Sequence, residues 1–377
     1  MSTRVPAPLY TYSPAHGFRS IDSEPEGSAS KKSGSGLMNK LGRLLHPRPA
    51  TQPSPTNSTV AESPENSSTI TDESRPEESP DPIALRILTW NIWFENSLKE
   101  QRTSALIRTI KSLNPLPDVC CFQECTKGFE SQLQGDDWWR ETWAMTKCVD
   151  QFTATTFSYG TMVFVRRELI EKMEFKAKAW FEPFEVTQNG RGLLVLELTT
   201  QRSVHPVGTP TRRPLPLLTP PSCKLLIATS HMDYAPEIRA TQFAAAISAL
   251  STTPTSVFCG DTNIDTHSEL GPLLSAGYVD SWLETHSDVA NSPDLAAVGA
   301  TFGTTGLRFS GSLTSGDLPP RRLDYVMARG MMVVNCELVG EEPIPKEEWA
   351  RSSQEQELDL EVNVSDHLGV IVDVKLG

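Results

Sequence analysis

The chain has 377 residues, with 34 lysines and arginines against 47 aspartates and glutamates, which gives a formal net charge of −13 at pH 7. So acidic a composition excludes a protein that covers nucleic acid with a broadly basic face, but it allows a local cationic groove or an acidic metal site. No stretch reaches the roughly 18 apolar residues that a membrane helix needs, and residues 1–17 lack the apolar core of a secretion signal. We therefore expect an intracellular, unanchored protein whose seven cysteines are reduced.

The first 83 residues differ in composition from the rest of the chain. Of these residues, 34 are serine, threonine or proline, and apolar side chains do not recur over a stretch long enough to build a core. Such a segment cannot bury enough apolar surface to offset the entropy of ordering, so we expect residues 1–83 to form a disordered tail that can bind protein partners. A basic, leucine-containing patch at 31–45 is typical of a solvated charge run, and a membrane-surface or address signal is the alternative.

From residue 84 onward, short apolar runs alternate with turn residues and amphipathic segments. Runs rich in Val, Ile and Leu predict strands over 85–90, 119–123, 160–165, 192–198, 224–230, 256–260, 322–328, 332–338 and 367–374. Helical spacing of apolar residues predicts helices over 99–113 and 237–250. Six prolines within 201–222 predict a flexible insertion between two strands. Strands mixed with few helices predict one layered α/β (α+β) domain over 84–377, in which two packed sheets carry helices on their outer faces.

Most of the predicted strands have a polar or charged residue at one end. These residues lie in the segments Trp90-Asn91, Gln123-Glu124, Ser230-His231, Gly260-Asp261-Thr262-Asn263, Arg322-Leu323-Asp324-Tyr325 and Ser365-Asp366-His367. Each segment alone is typical of a turn, of a strand end that meets water or of a structural histidine. Together, and each beside an apolar run, they predict a common rim of Asn, Asp, Glu and His side chains on rigid elements, which is how catalytic sites are built.

The motifs T-W-N, F-Q-E, S-H, G-D-T-N, R-L-D-Y and S-D-H, in this order, resemble those of the endonuclease/exonuclease/phosphatase superfamily. The resemblance spans 85–376 and implies the DNase I-like fold, a four-layer sandwich of two packed mixed β-sheets flanked by helices. Within the superfamily, T-W-N with G-D-T-N, and the stretch T-S-H-M-D-Y-A-P-E-I-R-A-T-Q, are similar to the 5′-tyrosyl-DNA phosphodiesterases. That similarity implies a metal-dependent phosphoric diester hydrolase that removes a tyrosyl or protein adduct from a DNA 5′ end, in nuclear (or also cytoplasmic) DNA repair.

The resemblance also implies a metal site and a water-activating group. Glu124 would be the main ligand of Mg²⁺, or of Mn²⁺, with Asn91 close by and Asp366 as an outer partner, because these hard cations prefer oxygen ligands. Asp261 would orient or deprotonate the attacking water. Asn263 would hold Asp261 or bind a phosphate oxygen.

Two histidines are implied as phosphate contacts. His367 would donate a hydrogen bond to the phosphoryl group, with Asp324 holding its tautomer and favouring the doubly protonated imidazole. His231 would supply a further contact to the phosphate.

Around the substrate the sequence departs from the family pattern. The family's opening motif continues as T-W-N-I-D-G, whereas Trp93 stands at the Asp position, and Tyr234 replaces the hydroxyl residue of H-L-E-S. Trp93, Tyr234 and Phe302 could stack on a base or a tyrosyl ring, with core packing as the alternative for Trp93 and Phe302. Arg239 could guide a phosphate.

Two other functions remain open from the sequence. A phosphatase or phosphodiesterase of the same fold could act on RNA, a nucleotide or a lipid headgroup, which the acidic surface and the basic patch at 31–45 favour. A non-catalytic interaction protein would use the tail and the insertions at 201–222 and 341–364, but every catalytic position holds a chemically competent residue. We expect a monomer.

Overall fold

Apolar runs of the chain form the strands of two mixed β-sheets in this computed structural model. It describes residues 4–14, 17–21, 83–150, 159–172, 175–200, 223–289, 292–295, 297–305, 319–350 and 361–376. The strands in chain order are β1 (Val5–Pro6), β2 (Leu9–Ser13), β3 (Gly17–Ser20), β4 (Ile83–Asn91), β5 (Val119–Cys125), β6 (Trp143–Thr146), β7 (Val149–Asp150), β8 (Gly160–Arg166), β9 (Lys176–Pro183), β10 (Gly192–Thr200), β11 (Cys223–His231), β12 (Thr255–Asp261), β13 (Val279–Asp280), β14 (Asp324–Arg329), β15 (Met332–Val339) and β16 (Gly369–Leu376).

Within the described part of the chain, the strands pair into a seven-stranded and a nine-stranded sheet. The seven-stranded sheet has the order β1-β9-β10-β11-β12-β14-β13, and the nine-stranded sheet has the order β15-β16-β4-β5-β8-β6-β2-β3 with β7 against β8. The pairs β4/β5 and β11/β12 are parallel. Their neighbours β8, β10 and β14 run antiparallel to them.

Helices cover the outer faces of the sheets. They are α1 (Lys99–Ser112), α2 (Lys127–Gly135), α3 (Asp137–Thr142), α4 (Arg167–Glu171), α5 (Pro236–Leu250), α6 (Gly271–Ser275), α7 (Ser281–Thr285) and α8 (Lys346–Trp349), with a 3₁₀ turn at His267–Leu270. Local capping fixes several starts: the side chains of Thr126 and Asp136 accept the N–H groups of Phe129 and Trp139. None of the helices among the described residues is long and apolar enough to cross a membrane.

Among the described residues, three apolar layers hold these elements together. The central layer joins side chains of both sheets, among them Ile87 of β4 and Ile227 of β11. One outer layer lies beneath α1–α3 and contains Leu106, and the other lies beneath α5 and contains Phe243. Two sheets with a core between them and helices on both outer faces make the four-layer DNase I-like sandwich, so the predicted fold class is confirmed.

The N-terminal residues correct one expectation. Strand β1 pairs with β9 at one edge of the seven-stranded sheet, and β2 pairs with β6 in the nine-stranded sheet. Ala7 and Leu9 are buried in the central layer. Disorder from residue 1 onward is therefore wrong for 4–14 and 17–21, because the existing sheet edges supply the burial that this polar segment cannot build by itself. Residues 22–82, with the basic patch at 31–45, and the insertion at 201–222 lie outside the described residues.

A buried ion pair supports the segment that leads into β14. Arg322 donates from Nη1 to Asp280 Oδ1 at 3.1 Å and from Nη2 to Oδ2 at 2.7 Å, and His267 Nε2 lies 3.1 Å from Oδ2. Burial opposes ionisation of Asp280, but the hydrogen bonds from His267 and Arg322 outweigh it and lower the pKa of this carboxyl group. The pair fixes the backbone two residues before Asp324.

Candidate active site

The polar strand ends of both sheets meet at one edge of the sandwich. Asn91 pairs in register with Gln123 at the ends of the parallel strands β4 and β5, and His231 pairs with Asp261 at the ends of β11 and β12. Asp324 begins β14 opposite Asp261, since β14 runs antiparallel to β12. A hydrogen bond of 2.9 Å from Asn91 Nδ2 to Asp261 Oδ2 joins the two sheets. The rim predicted from the strand ends is thus present.

Asp261 is the centre of this rim. Its Oδ1 accepts the backbone N–H of Asn263 at 3.1 Å, and its Oδ2 lies 3.3 Å from His231 Nε2 and 3.8 Å from His367 Nε2. Burial raises the pKa of Asp261 to about 6, although the positive charge of His367 opposes this. A carboxylate with that pKa is suited to take a proton near neutral pH.

His367 is held by a carboxylate behind it. Its Nδ1 lies 2.7 Å from Asp324 Oδ2, which also accepts the Thr301 hydroxyl at 2.6 Å. Burial lowers the pKa of His367, but the carboxylates of Asp324, Asp261 and Asp366 outweigh it and raise the pKa well above the usual value. The imidazole is therefore doubly protonated, with Nδ1–H donated to Asp324 and Nε2–H directed towards the Asp261 side.

His231 has the opposite charge state. Arg191 Nη1 lies 2.7 Å from His231 Nδ1, and because a guanidinium can only donate, Nδ1 is the acceptor and Nε2 carries the proton. Burial, together with the charges of Arg191 and His367, lowers the pKa of His231 well below its usual value. His231 is thus a neutral donor on the Asp261 side of the rim.

Tyr159 and Arg191 belong to the site although the sequence motifs predict a role there for neither of them. Arg191 Nη2 donates to the Tyr159 hydroxyl at 3.0 Å, and its guanidinium lies 5.1 Å from the centre of the Tyr159 ring. Both residues directly precede strands, β8 and β10, that run antiparallel to β5 and β11. The start of an antiparallel strand lies at the same edge as the end of its neighbour, so a polar residue just before an apolar run was the available signal.

Glu124 is presented by a local irregularity of its strand. The pairing of β5 with β8 shifts register between Phe122 and Cys125, and Glu124 has a φ of 59°. A bulge with a left-handed residue re-aims a side chain at a cost in backbone energy, which functional sites tolerate. Glu124 Oε2 accepts the backbone N–H of Phe94 at 2.8 Å, and Oε1 lies 3.8 Å from His231 Nδ1.

The acidic residues of the rim fit a divalent cation. Burial raises the pKa of Glu124, and the charge of Asp261 adds to this effect. Withdrawal from water, with the charge of Glu124, also raises the pKa of Asp366 to about 6. Burial disfavours the ionised form of both carboxyl groups, and a bound cation would favour that form; hard carboxylate oxygens suit Mg²⁺ or Mn²⁺. Ligand atoms of Asp261, Asp324 and His367 also lie within 4.8 Å of one another, but the hydrogen bond between Asp324 and His367 already uses two of them.

Several aromatic side chains border the site. Tyr234 is 62% exposed. The Phe302 ring lies 4.9 Å from that of His367, and the Phe94 ring stacks on Tyr159 with centroids 4.8 Å apart. We call Phe94, Tyr159, Tyr234 and Phe302 the aromatic rim.

Trp93 does not belong to this group, because its ring packs against the apolar cluster beneath α1 and under the guanidinium of Arg102, 4.6 Å from the ring centre. The core-packing alternative is therefore correct for Trp93.

Arg102, buried on α1, fixes the loop that follows Asn91. Its Nε donates to Ser97 O at 3.0 Å, and its two terminal nitrogens donate to the carbonyls of Ile92, Trp93, Glu95 and Val364 at 2.5–3.4 Å. The Arg102 guanidinium thus connects two segments. One is the loop whose Phe94 N–H binds Glu124, and the other is the segment that precedes His367.

The prediction that Arg239 guides a phosphate is wrong in this structure. The Arg239 side chain is only 1% exposed and donates to Glu269 at 2.9 Å, to Asp265 at 2.8 Å and to the carbonyls of Asp233 and Tyr234. Its donors are used within the protein because α5 turns it inward, towards the loop after β12.

Comparison with known proteins agrees with this geometry. The model of the Endonuclease/Exonuclease/phosphatase family matches residues 88–367. Humanized D. rerio TDP2 with 14 mutations is 18% identical, with a TM-score of 0.53 over 77% of this chain and 98% of that one. D. rerio TDP2 complexed with single-strand DNA product is also 18% identical, with a TM-score of 0.52 over the same shares. A family protein from Bacteroides thetaiotaomicron is 15% identical, with a TM-score of 0.52 over 79% of this chain and 99% of that one.

At these identities the likeness to the solved structures concerns the fold, and a search of curated proteins finds no match. The family model, in contrast, spans the described motifs from β4 to His367. The chain therefore belongs to the endonuclease/exonuclease/phosphatase family of phosphoester hydrolases.

Proposed function

We propose that the chain is a Mg²⁺-dependent phosphodiesterase that hydrolyses the bond between a tyrosyl oxygen and the 5′-phosphate of DNA, with Mn²⁺ as an alternative metal. The observation that carries this proposal is the aromatic rim beside Asp261, His231 and His367. Aromatic faces suit both nucleobases and a phenolic leaving group. The fold shared with D. rerio TDP2, whose structure holds a single-strand DNA product, supports the same choice.

The metal would be held by Glu124, with Asp366 as its outer partner. When bound, it would supply Lewis-acid stabilisation of the phosphoryl charge and acidify a water molecule. The hydrogen bond from the N–H of Phe94 to Oε2 orients Glu124 and leaves Oε1 for a ligand.

The residues of the chain would divide the remaining chemistry. Asp261, held by Asn91 and Asn263, takes a proton from the attacking water, whose oxygen forms a bond to phosphorus. His367 and His231 donate hydrogen bonds from Nε2 to phosphoryl oxygens, one as a cation and the other as a neutral group. The bond from phosphorus to the tyrosyl oxygen breaks with its electron pair on oxygen. A phenolate, whose conjugate acid has a pKa of about 10, leaves without a strong protein acid and takes its proton from solvent.

The test uses the full chain with Mg²⁺ and four substrates: a 5′-phosphotyrosyl oligonucleotide, an abasic-site duplex, poly(A) and phosphoinositides. We expect release of tyrosine and a 5′-phosphate from the first substrate, at least about 100-fold faster than turnover of the others. Hydrolysis of another substrate with the phosphotyrosyl end left intact would contradict the proposal. Turnover of poly(A) or of phosphoinositides would then identify the RNA or the lipid alternative.

Two variants of one residue test the role of the aromatic rim. Tyr234→Phe keeps the ring, so we expect its KM for the phosphotyrosyl oligonucleotide to be nearly unchanged. Tyr234→Ala loses the stacking surface, which is worth about 1–3 kcal/mol, and its KM should rise about 5- to 100-fold. Equal KM values for the two variants would count against stacking on Tyr234.

Part of the same proposal is a monomeric enzyme in the nucleus, with protein partners bound through residues 22–82. Cell fractionation after treatment with a drug that traps a topoisomerase on DNA tests this setting. The full chain should move into the chromatin fraction, and retention outside the nucleus would contradict it.

A further inference from the structure

One carboxylate at the lip of the site is shared by two arginines. Asp265 Oδ2 lies 2.8 Å from Arg239 Nη2, and Asp265 Oδ1 lies 2.7 Å from Arg321 Nη2. Glu269 balances the second positive charge through a contact of 2.7 Å to Arg239 Nη2. The arginines are thus matched by two carboxylates, and Asp265, with 55% of its side chain exposed, is the solvent-facing one.

This cluster lies next to the catalytic residues. Asp265 follows Asp261 by four residues, on the loop that leaves β12. Arg321 pairs with Phe302 through two backbone hydrogen bonds of 2.9 Å, and Phe302 in turn forms an antiparallel bridge with His367. With about 5 Å between paired backbones, Arg321 lies roughly 10 Å from His367 along the rim.

Two guanidinium groups around one oxyanion make a phosphate-binding arrangement. Here the oxyanion is the carboxylate of Asp265. A phosphate brought to Arg321 must displace a covalently tethered carboxylate and then lie beside its negative charge. Arg239 is buried, as are Arg102, which donates to backbone carbonyls, and Arg191, which contacts His231 and Tyr159. Of these four arginines, Arg321, with 33% of its side chain exposed, is the one that a phosphate could reach.

We propose that Asp265 is a specificity-determining residue that is anchored from behind by the buried Arg239 and occupies the place of the neighbouring phosphate on Arg321, so that the enzyme holds its substrate by the scissile phosphate and does not grip the strand beyond it. This inference rests on the proposed function. It predicts that a single nucleoside esterified through its 5′-phosphate to a phenol is as good a substrate as a long oligonucleotide. The net charge of −13 acts in the same direction, because it repels a polyanion.

The test measures the binding of a fluorescent 5′-phosphorylated ten-nucleotide strand by anisotropy, over a series of salt concentrations. Asp265→Asn removes the carboxylate charge that holds Arg321, while Arg239 keeps its bonds to Glu269 and to backbone carbonyls, so we expect Kd at low salt to fall about tenfold. The slope of log K against log salt should steepen by about 0.7, which corresponds to one added phosphate contact on single-stranded DNA. Asp265→Asn combined with Arg321→Gln should lose this gain. Glu141→Gln, an exposed position on α3, is the control for net charge and should change neither quantity.

Activity provides the second measurement. Hydrolysis of thymidine 5′-(p-nitrophenyl phosphate) should stay within about twofold in Asp265→Asn, whereas kcat/KM for a phosphotyrosyl ten-nucleotide strand should rise about tenfold through KM. Thermal unfolding identifies a variant that fails to fold, and Asp265→Ser then replaces Asp265→Asn. The proposal would be overturned if the folded variant had the same Kd and the same salt slope as wild type. It would also be overturned if the slope of log K against log salt for wild type already corresponded to two phosphate contacts. If wild-type protein cleaves neither substrate, the proposed function fails, and the binding comparison still decides the role of Asp265.

Discussion

Replacing Arg102 should loosen the side of the site that we propose binds the metal, without touching substrate. The guanidinium is buried, and its hydrogen bonds reach five carbonyls on two segments, 92–97 and Val364. Each hydrogen bond to a carbonyl contributes about 1 kcal/mol net, so Arg102→Met removes about 5 kcal/mol of stabilisation, and hydration of the loosened loop offsets a part of this loss. We therefore expect the free energy of unfolding to fall by about 3 kcal/mol.

The same variant should weaken metal binding. The loop held by Arg102 presents the N–H of Phe94 to Glu124, and loss of a partner behind a metal ligand costs about 10- to 100-fold in metal affinity. A Mg²⁺ titration of hydrolysis should therefore give an activation constant at least about tenfold higher, with kcat at saturating Mg²⁺ largely restored. A purely structural role would lower stability and leave the Mg²⁺ dependence unchanged.

Arg108→Met is the matched control on the same helix. Arg108 is half exposed and pairs with Glu348, so its loss should cost less than about 0.5 kcal/mol and leave the Mg²⁺ dependence alone. Both variants are compared by urea denaturation and by the Mg²⁺ titration. If Arg102→Met matches Arg108→Met in both measurements, the loop does not depend on Arg102 and the reasoning is refuted.

Three further outcomes follow from the geometry. Glu124→Gln should lower hydrolysis about 100-fold at limiting Mg²⁺ without lowering the free energy of unfolding, because a buried charge is removed; an active variant would exclude Glu124 as a ligand. Asp280 has a depressed pKa in the folded state, so its stabilisation is present above the unfolded pKa of about 3.9 and is lost as the pH falls through the folded value. Asp280→Asn leaves Arg322 without its charged partner and should lower the free energy of unfolding by about 3 kcal/mol at pH 7. In urea titrations, the difference in this free energy between variant and wild type should become smaller below about pH 4. A difference that stays the same at all pH values would contradict this prediction. Gly260→Ala should lower the free energy of unfolding by at least about 3 kcal/mol or prevent folding, because φ of Gly260 is 131° and the added Cβ would lie 2.0 Å from a backbone oxygen. Gly135→Ala in α2 is the control: its Cβ meets no atom within 4 Å, so stability should change by less than about 0.5 kcal/mol.

Much of the site could be predicted because its residues end strands. Asn91, Glu124, His231 and Asp261 each follow an apolar run, and parallel strands carry such residues to one edge. The layered fold followed from the same runs, because short apolar strands with intervening helices have few ways to bury both sheet faces.

What could not be predicted depends on strand direction and on burial. Tyr159 and Arg191 stand at strand starts, and the sequence does not indicate which strands run antiparallel to which neighbours. Residue type and motif position predict a substrate role for Arg239 and, with core packing as the alternative, for Trp93, whereas the packing of α5 and of α1 turns both side chains towards the protein. Such choices are made by tertiary contacts, and a pattern along the chain carries little information about them.

The strands formed by the first twenty residues have a practical consequence for anyone who shortens this chain. The change of composition near residue 84 invites a cut there, yet such a cut would remove β1, β2 and β3 and strip Ala7 and Leu9 from the space between the sheets. It would also bare the hydrogen-bonding edges of β9 and β6, one on each sheet, and unpaired edges recruit strands from other molecules. Low solubility of a protein shortened in this way would therefore be caused by its exposed sheet edges and would not be evidence against the proposed catalytic site.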